Sequence, residues 1–329
     1  MSYWVIGCGL IGTEYAKCLR AIGENPVVIG RGEASARLCE EAIETKVVRG
    51  GLEKFLSASP AMPKGVIVAT PVQNLFHTTK QLVDYGIQYI LLEKPAASTY
   101  EEIETLRDYC TRNKAEVFIC YNRRHYQSVI KAREIIANDG GVKSFSFDFT
   151  EWAHMIGEES HPMSTKQRWF LVNSTHVINL AFHLGGQPKE MHTFTAGGLP
   201  WHSAGSIYTG AGVTDEGALF SYHSNWEAPG RWGLEFHTLH HKLVFRPVEK
   251  LQIQKHGSVA IEPVEIDYDL DTRFKPGFYL LTKDFVAQNR EALFSLDNHC
   301  DSLVNLKKIQ AYPPQRSIPK SGNVSMAHP

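Results

Sequence analysis

Three groups of residues have the types and spacings that chemistry needs. Gly7-x-Gly9-x-x-Gly12 follows the apolar run Tyr3–Ile6 directly and precedes helix-permissive residues from Thr13 to Ile22. In a strand–turn–helix setting, Gly7 permits the tight turn, Gly9 lets backbone approach a pyrophosphate, and Gly12 allows close helix–strand packing. The N–H groups at the start of that helix, around Leu10 and Ile11, then face the phosphates. The second group is Glu93-Lys94-Pro95, at the end of the apolar run Tyr89–Leu92. A lysine there either snorkels to solvent or is held in the interior for a function. The third is a helical stripe of Asn173, His176, Asn179, Leu180 and His183, with Leu171, Ile178, Ala181 and Phe182 on the opposite side. Such a stripe suits hydroxyl binding, with one imidazole as proton acceptor.

The cofactor half adds detail. An acidic residue at the end of the second strand marks an NAD site, because it holds the ribose 2′-hydroxyl. That place reads Gly30-Arg31, which removes the carboxylate and supplies a planar cation, so NADP is expected over NAD, with NAD as the alternative. Glu33 nearby counts against this, and Arg37 is either an assistant or a surface residue. Thr70-Pro71 ends another strand, where a loop crosses the nicotinamide half of such a cofactor, and His77 is expected to open the following helix.

These residues need a scaffold. Strands are predicted at Tyr3–Ile6, Pro26–Ile29, 47–48, 66–69, Tyr89–Leu92 and 116–120, alternating with helices at 13–22, 34–43, 74–85 and 100–113, the last capped by Ser98 or Thr99. Continuous apolar strands separated by helices imply a doubly wound parallel sheet over residues 1–122. After a helix at 126–138 the pattern becomes alternating, with strands predicted at 144–150, 218–224, 233–238, 242–246 and 251–255. Helices are expected at 167–184, 277–290 and 296–312. Residues 123–312 therefore read as an α+β domain with a large, mainly antiparallel open sheet, its closing helices free to pack back on the first domain. Residues 313–329 read as an extended tail.

With 329 residues and a net charge of −1, the chain has room for two cores, and nothing points to a nucleic-acid or membrane partner. Six scattered cysteines without a CxxC pair are expected as buried thiols of a cytoplasmic protein. His237, His240 and His241 cluster without further ligands at zinc spacing, so no metal site is expected. Five of the tryptophans fall after residue 150, and one or two of them could wall a sugar ring.

Taken together, Gly7-x-Gly9-x-x-Gly12, Ala69-Thr70-Pro71, His77, Glu93-Lys94-Pro95 and Asn122-Arg123-Arg124 resemble the glucose–fructose oxidoreductase / inositol dehydrogenase / MocA family. The resemblance implies a nicotinamide-dependent oxidoreductase acting on a sugar, sugar derivative or cyclitol, with Lys94 at the position of the family's active-site lysine. It also implies association as dimers or tetramers through the open sheet. His176 matches the family's catalytic histidine, but Val172 stands where an aspartate is usual, and Asn179 fills another position that is often acidic. Arg124, Tyr126, Asn173 and Asn179 are the expected substrate contacts beside Lys94 and His176. Two other readings stay open: a cofactor-binding sensor or scaffold without turnover, and a reductase of a non-sugar substrate on the same plan.

Overall fold

The computed structural model describes residues 2–159 and 161–311; the expected tail and Tyr312 lie outside them. In the first third, β1 (Tyr3–Ile6), α1 (Leu10–Ala21), β2 (Pro26–Gly30), α2 (Glu33–Ile43), β3 (Val48–Arg49), α3 (Gly51–Ser57), β4 (Gly65–Val68), α4 (Val72–Asp84), β5 (Tyr89–Leu92), α5 (Tyr100–Arg112) and β6 (Glu116–Ile119) alternate. The strands form a six-stranded parallel sheet in the order β3-β2-β1-β4-β5-β6. The strand order reverses between β1 and β4, the place where such sheets open a ligand crevice at their carboxyl ends.

The continuous apolar strands are explained by two covered faces. Tyr3, Val5, Ile67 and Leu91 pack into one core with α1 and α2, while Trp4, Ile6, Val66 and Val68 pack into another. Thr99 caps α5, its side-chain oxygen accepting from the Glu102 amide at 3.2 Å. Two boundaries depart from expectation. α1 starts at Leu10 rather than residue 13, so the glycine motif itself opens the helix; α4 starts at Val72, which puts His77 in its second turn and not at its opening. α3 was not expected.

The rest of the chain runs through a 3₁₀ turn (Asn122–His125), α6 (Gln127–Asn138), β7 (Ser144–Asp148), α7 (Ala153–Glu158), α8 (Met163–Lys166), a π-helical turn (Phe170–Ser174) and α9 (Thr175–Gly185). Then follow β8 (Pro188–Ala196), β9 (Ile207–Thr214), β10 (Leu219–Asn225), β11 (Gly233–His237), β12 (His241–Phe245), β13 (Gln252–Lys255), β14 (Glu262–Pro263), α10 (Asp269–Arg273), α11 (Phe278–Val286) and α12 (Leu296–Gln310). The eight strands β7–β14 form one sheet, antiparallel except where β7 pairs with β10. One face is sealed by α9: the Phe182 ring meets Phe145 and Phe220 edge-on at 6.2 and 5.3 Å. A Cβ on Gly185 would lie 2.4 Å from the Phe145 ring, so the helix end needs glycine to come this close. The opposite face is open and carries a shallow groove of about 650 Å³.

α11 and α12 return to the first domain. Phe278, Leu281 and Phe285 of α11 complete the core under α1, and Tyr15 stacks on Phe278 at 4.5 Å. His299 of α12 contacts the Pro95 carbonyl at 3.1 Å, bracing the turn that holds Lys94. α12 also meets β8 and β9, so this helix ties the two sheets together.

Candidate functional site

A cleft of about 1060 Å³ runs along the carboxyl ends of β1, β2, β4 and β5 and ends against α9. At its first end the backbone does the work. Gly7 has φ +113, and a Cβ on it would sit 2.4 Å from the Ala69 carbonyl oxygen. A Cβ on Gly12 would be 1.9 Å from the Gly7 carbonyl oxygen, so Gly12 serves helix–strand packing and does not line the cleft. Gly9 has nothing within 4 Å of where its Cβ would be, which leaves its backbone open to the cleft. The first intrahelical bond runs from Thr13 N to Gly9 O at 2.9 Å, so the N–H groups of Leu10, Ile11 and Gly12 precede it without helical partners. The donor set and the clearance fit a dinucleotide pyrophosphate.

Gly30, Arg31, Gly32 and Ser35 line the same end. A Cβ on Gly30 would overlap Cys8 Sγ at 2.2 Å, so the missing side chain is a packing requirement. Glu33, the acid that counted against a phosphate at Arg31, is engaged by Arg49 at 2.8 Å and by Arg37 at 3.2 Å. Arg37 is thereby accounted for as its partner. Thr70, Pro71 and His77 line the middle of the cleft, and Thr70 Oγ1 is buried without a hydrogen-bond partner.

The far end holds Glu93, Lys94, Asn122, Arg123, Tyr126, Asn173, His176, Glu249 and Lys275. Lys94 Nζ donates to the Val172 carbonyl at 2.5 Å. The position that lacks a carboxylate side chain thus serves through its backbone. Burial pushes Lys94 down to about 8, against the pull of the neighbouring Glu93. Burial likewise raises Glu93, which accepts from the Tyr15 hydroxyl at 2.9 Å. His176 is held well below its ordinary 6.5 by burial, reinforced by Arg123, Lys94 and Lys275. It is therefore a neutral imidazole, and its Nδ1 is buried without a partner, leaving Nε2 as the nitrogen for chemistry. The Trp232 ring lies 6.4 Å from it.

Glu151, just beyond β7, is 1% exposed and sets the geometry of the neighbouring asparagine. Its two carboxylate oxygens accept from Asn173 Nδ2 at 3.1 and 3.0 Å, and one also accepts from Ser174 Oγ at 2.7 Å. A carboxylate accepts only, so the Asn173 amide group is fixed with its oxygen left over for the cleft. The π-helical turn that contains both residues lies directly before α9, a setting in which such turns often mark a site.

Two expected substrate contacts are elsewhere. Arg124 Nε donates to Asn179 Oδ1 at 2.7 Å, and its guanidinium sits 3.9 Å over the Phe294 ring. Both residues line a separate cavity of about 20 Å³ behind the site. Asn173 and Asn179 stand roughly 120° apart about a helix axis, one on each side of His176, and only one side can face the cleft. Arg123, adjacent in sequence, takes the place assigned to Arg124. The sequence reading missed Glu151, Lys275 and Glu249 altogether. Each lies outside the periodic segments, and only the fold brings them to the helix. The His237–His241 hairpin is accounted for by His241 Nδ1, 2.7 Å from Asp139. Among the described residues no group of His, Cys, Asp or Glu is arranged to hold a metal, and no helix is long and apolar enough to cross a membrane.

Residues 1–121 match the Gfo/Idh/MocA oxidoreductase family, described as having an NAD-binding Rossmann fold. An uncharacterized oxidoreductase of Streptococcus pneumoniae is 25% identical over 209 residues, covering 60% of this chain and 54% of the relative. The match thus spans about half the length of that relative. Among solved structures, a UDP-N-acetylglucosamine 3-dehydrogenase from Acidithiobacillus ferrooxidans superposes with TM-score 0.71 at 16% identity, over 94% of this chain and 97% of that one. A levoglucosan dehydrogenase in complex with NADH gives TM-score 0.75 at 16% identity, over 97% and 100%. The two-domain fold is shared over essentially the whole chain, and residues 1–121 match the NAD-binding Rossmann fold of this oxidoreductase family.

Proposed function

Proceeding from that Rossmann domain, we propose that the protein is an NAD(P)-dependent oxidoreductase acting on a CH–OH group of a sugar, sugar derivative or cyclitol. The observation that carries this reading is the convergence of Lys94 and His176 at the inner end of a cleft whose outer end fits a dinucleotide. The similar solved structures include two dehydrogenases named for sugar substrates.

Gly9, Leu10 and Ile11 would hold the pyrophosphate, and Thr70 Oγ1 has a free hydroxyl toward the nicotinamide half. When bound, the nicotinamide supplies hydride acceptance or donation at C4. His176 takes the hydroxyl proton at Nε2 as hydride leaves the same carbon, and returns it in the reductive direction. Lys94 donates to that oxygen and, by its like charge, helps keep the imidazole neutral. The oxygen of the Asn173 amide accepts from a neighbouring hydroxyl of the ring.

NADP is the preferred cofactor in this reading, with Arg31 and Ser35 as the 2′-phosphate contacts. The open face of the eight-stranded sheet pairs with a second copy, supported by Phe194 and Leu219, which are 70% and 63% exposed on it. Six buried unpaired thiols support a reducing, cytoplasmic setting. The decisive experiment is a titration with NADPH and NADH by nicotinamide fluorescence, followed by a panel of sugars and polyols. Binding with turnover is expected. Tight binding without turnover on any substrate would favour the sensor reading that Val172 motivates, and failure to bind either nucleotide would overturn the reading as a whole.

A further inference from the structure

At the inner end of the cleft three cationic side chains, Lys94, Arg123 and Lys275, stand without a carboxylate at ion-pair distance, although Glu93 and Glu249 line the same end. Lys94 contacts the Val172 carbonyl, the Arg123 guanidinium lies 4.8 Å over the Trp232 ring, and Lys275 Nζ lies 5.8 Å from the Phe278 ring. Among the described residues none of the three makes an ion pair. Arg123 Nε is buried with no hydrogen-bond partner at all. The carboxylates of this end act on Lys94 and Arg123 through space, but none bonds to them. Glu93 accepts from Tyr15, Glu151 is turned to Asn173, Ser174 and Arg231, and Glu249 forms no ion pair. A buried guanidinium nitrogen without a partner, as at Arg123, is costly unless a ligand completes it. When bound, an oxidised nicotinamide ring would add a positive charge at this end of the cleft.

From this, and resting on the oxidoreductase reading above, we infer that the substrate is an anionic sugar whose carboxylate or phosphate oxygens sit on Arg123 and Lys275. The anion lies beside His176, within the field of Lys94, and offsets the charge of the oxidised cofactor. Arg123 supplies directional N–H donors on a guanidinium held flat by Trp232, which suits planar or tetrahedral oxyanions. Lys275, exposed at the cleft wall, supplies attraction without fixed direction.

The test uses the full chain with NAD(P)H or NAD(P)⁺ and four probes that differ in charge: glucose, glucuronate, glucosyl phosphate and UDP-glucose. Turnover is read from nicotinamide absorbance, and binding from each probe's effect on the fluorescence of the NAD(P)H complex. The expected result is a preference of at least about tenfold in kcat/KM, or in affinity, for a charged probe over glucose. Glucuronate and the phosphate-bearing probes distinguish the two sources of the anion. The preference should weaken with added salt. Arg123→Gln should collapse it through KM, and Arg123→Lys should restore part of it, while nucleotide titration of both variants reports that they fold. Equal handling of glucose and the charged probes, or an unchanged preference in Arg123→Gln, would overturn the inference. So would the absence of binding by every charged probe to a protein that still binds NAD(P)H, an outcome that leaves the proposed cofactor role standing. Loss of nucleotide binding itself would instead strike the parent reading.

Discussion

The two ends of the cleft are built from different materials. The outer end is made of backbone: Gly7, Gly9 and Gly12 shape it by having no side chains, and two of the three have carbonyl oxygens where a Cβ would go. The inner end is made of long polar side chains drawn from five separate places: the β5 end, the 3₁₀ turn, the π-helical turn with α9, the loop between β12 and β13, and the loop before α11. A backbone site tolerates almost no substitution but asks for little electrostatic compensation. A side-chain site tolerates shape changes and is governed by who is charged and who is hydrogen-bonded. The outer end can therefore serve one cofactor class across many proteins, while the inner end carries the individuality of this chain.

Variants should separate the ends. The largest effect is expected from Gly12→Ala, which forces the new methyl against Gly7 O. Overpacking of this kind costs about 1–3 kcal/mol, and because it moves the motif itself, nicotinamide fluorescence titration should show binding lost. Lys94→Ala should leave nucleotide binding intact and lower kcat by about 10²–10⁴-fold. Full retained turnover would remove Lys94 from the mechanism.

The same variant sharpens the pH behaviour. Lys94, pushed down to about 8 by burial, loses its proton as pH rises through that value, so turnover in the oxidative direction should fall on the alkaline side. His176 stays neutral well below 6.5, so no acid limb should appear near that pH. A pH profile of wild type and Lys94→Ala checks both: the alkaline limb should vanish in the variant. Next in size, Glu151→Gln should lower kcat/KM roughly tenfold, because a side-chain amide presents donors to the Asn173 donors it must accept from. An unchanged kcat/KM would mean that the Asn173 orientation does not matter. Arg31→Ala should weaken NADPH by roughly tenfold and NADH hardly at all. Equal loss for both would make Arg31 an adenine or loop contact. The smallest effect on catalysis is expected for Phe194→Asp, which should shift sedimentation toward monomer and leave turnover as it was.

Legibility in the sequence followed the same division. The parallel strands are readable to within about a residue because all but the short edge strand β3 are largely apolar on both faces, as Tyr3–Ile6 illustrates with its residues split between two cores. β8 and β9 were not foreseen. β9 contains Gly210 and Gly212, which read as turn punctuation. In the sheet they are crossing points: a Cβ on Gly210 would lie 2.5 Å from the Tyr222 hydroxyl, and one on Gly212 would lie 2.1 Å from the Glu190 carbonyl oxygen. The expected helix at 167–184 was right in place but not in pitch, since its first part takes the wider π turn around residues that bond to Glu151. Lys94 and His176 stood out because strand end and helix stripe mark them locally. Glu151 and Lys275 could not, since nothing near them in the chain says which helix they will meet.

The fit of Cys8 against Gly30 bears on how cofactor choice could change over time. Installing an acidic residue at position 30, the simplest route toward an NAD ribose contact, collides with the cysteine sulfur before any question of affinity arises. The path is ordered: position 8 has to shrink first, inside the phosphate-binding turn, and only then does position 30 become free to vary. Selection acting on single substitutions meets a locked door at Gly30, and the key to it lies on a neighbouring strand's turn twenty-two residues earlier in the chain.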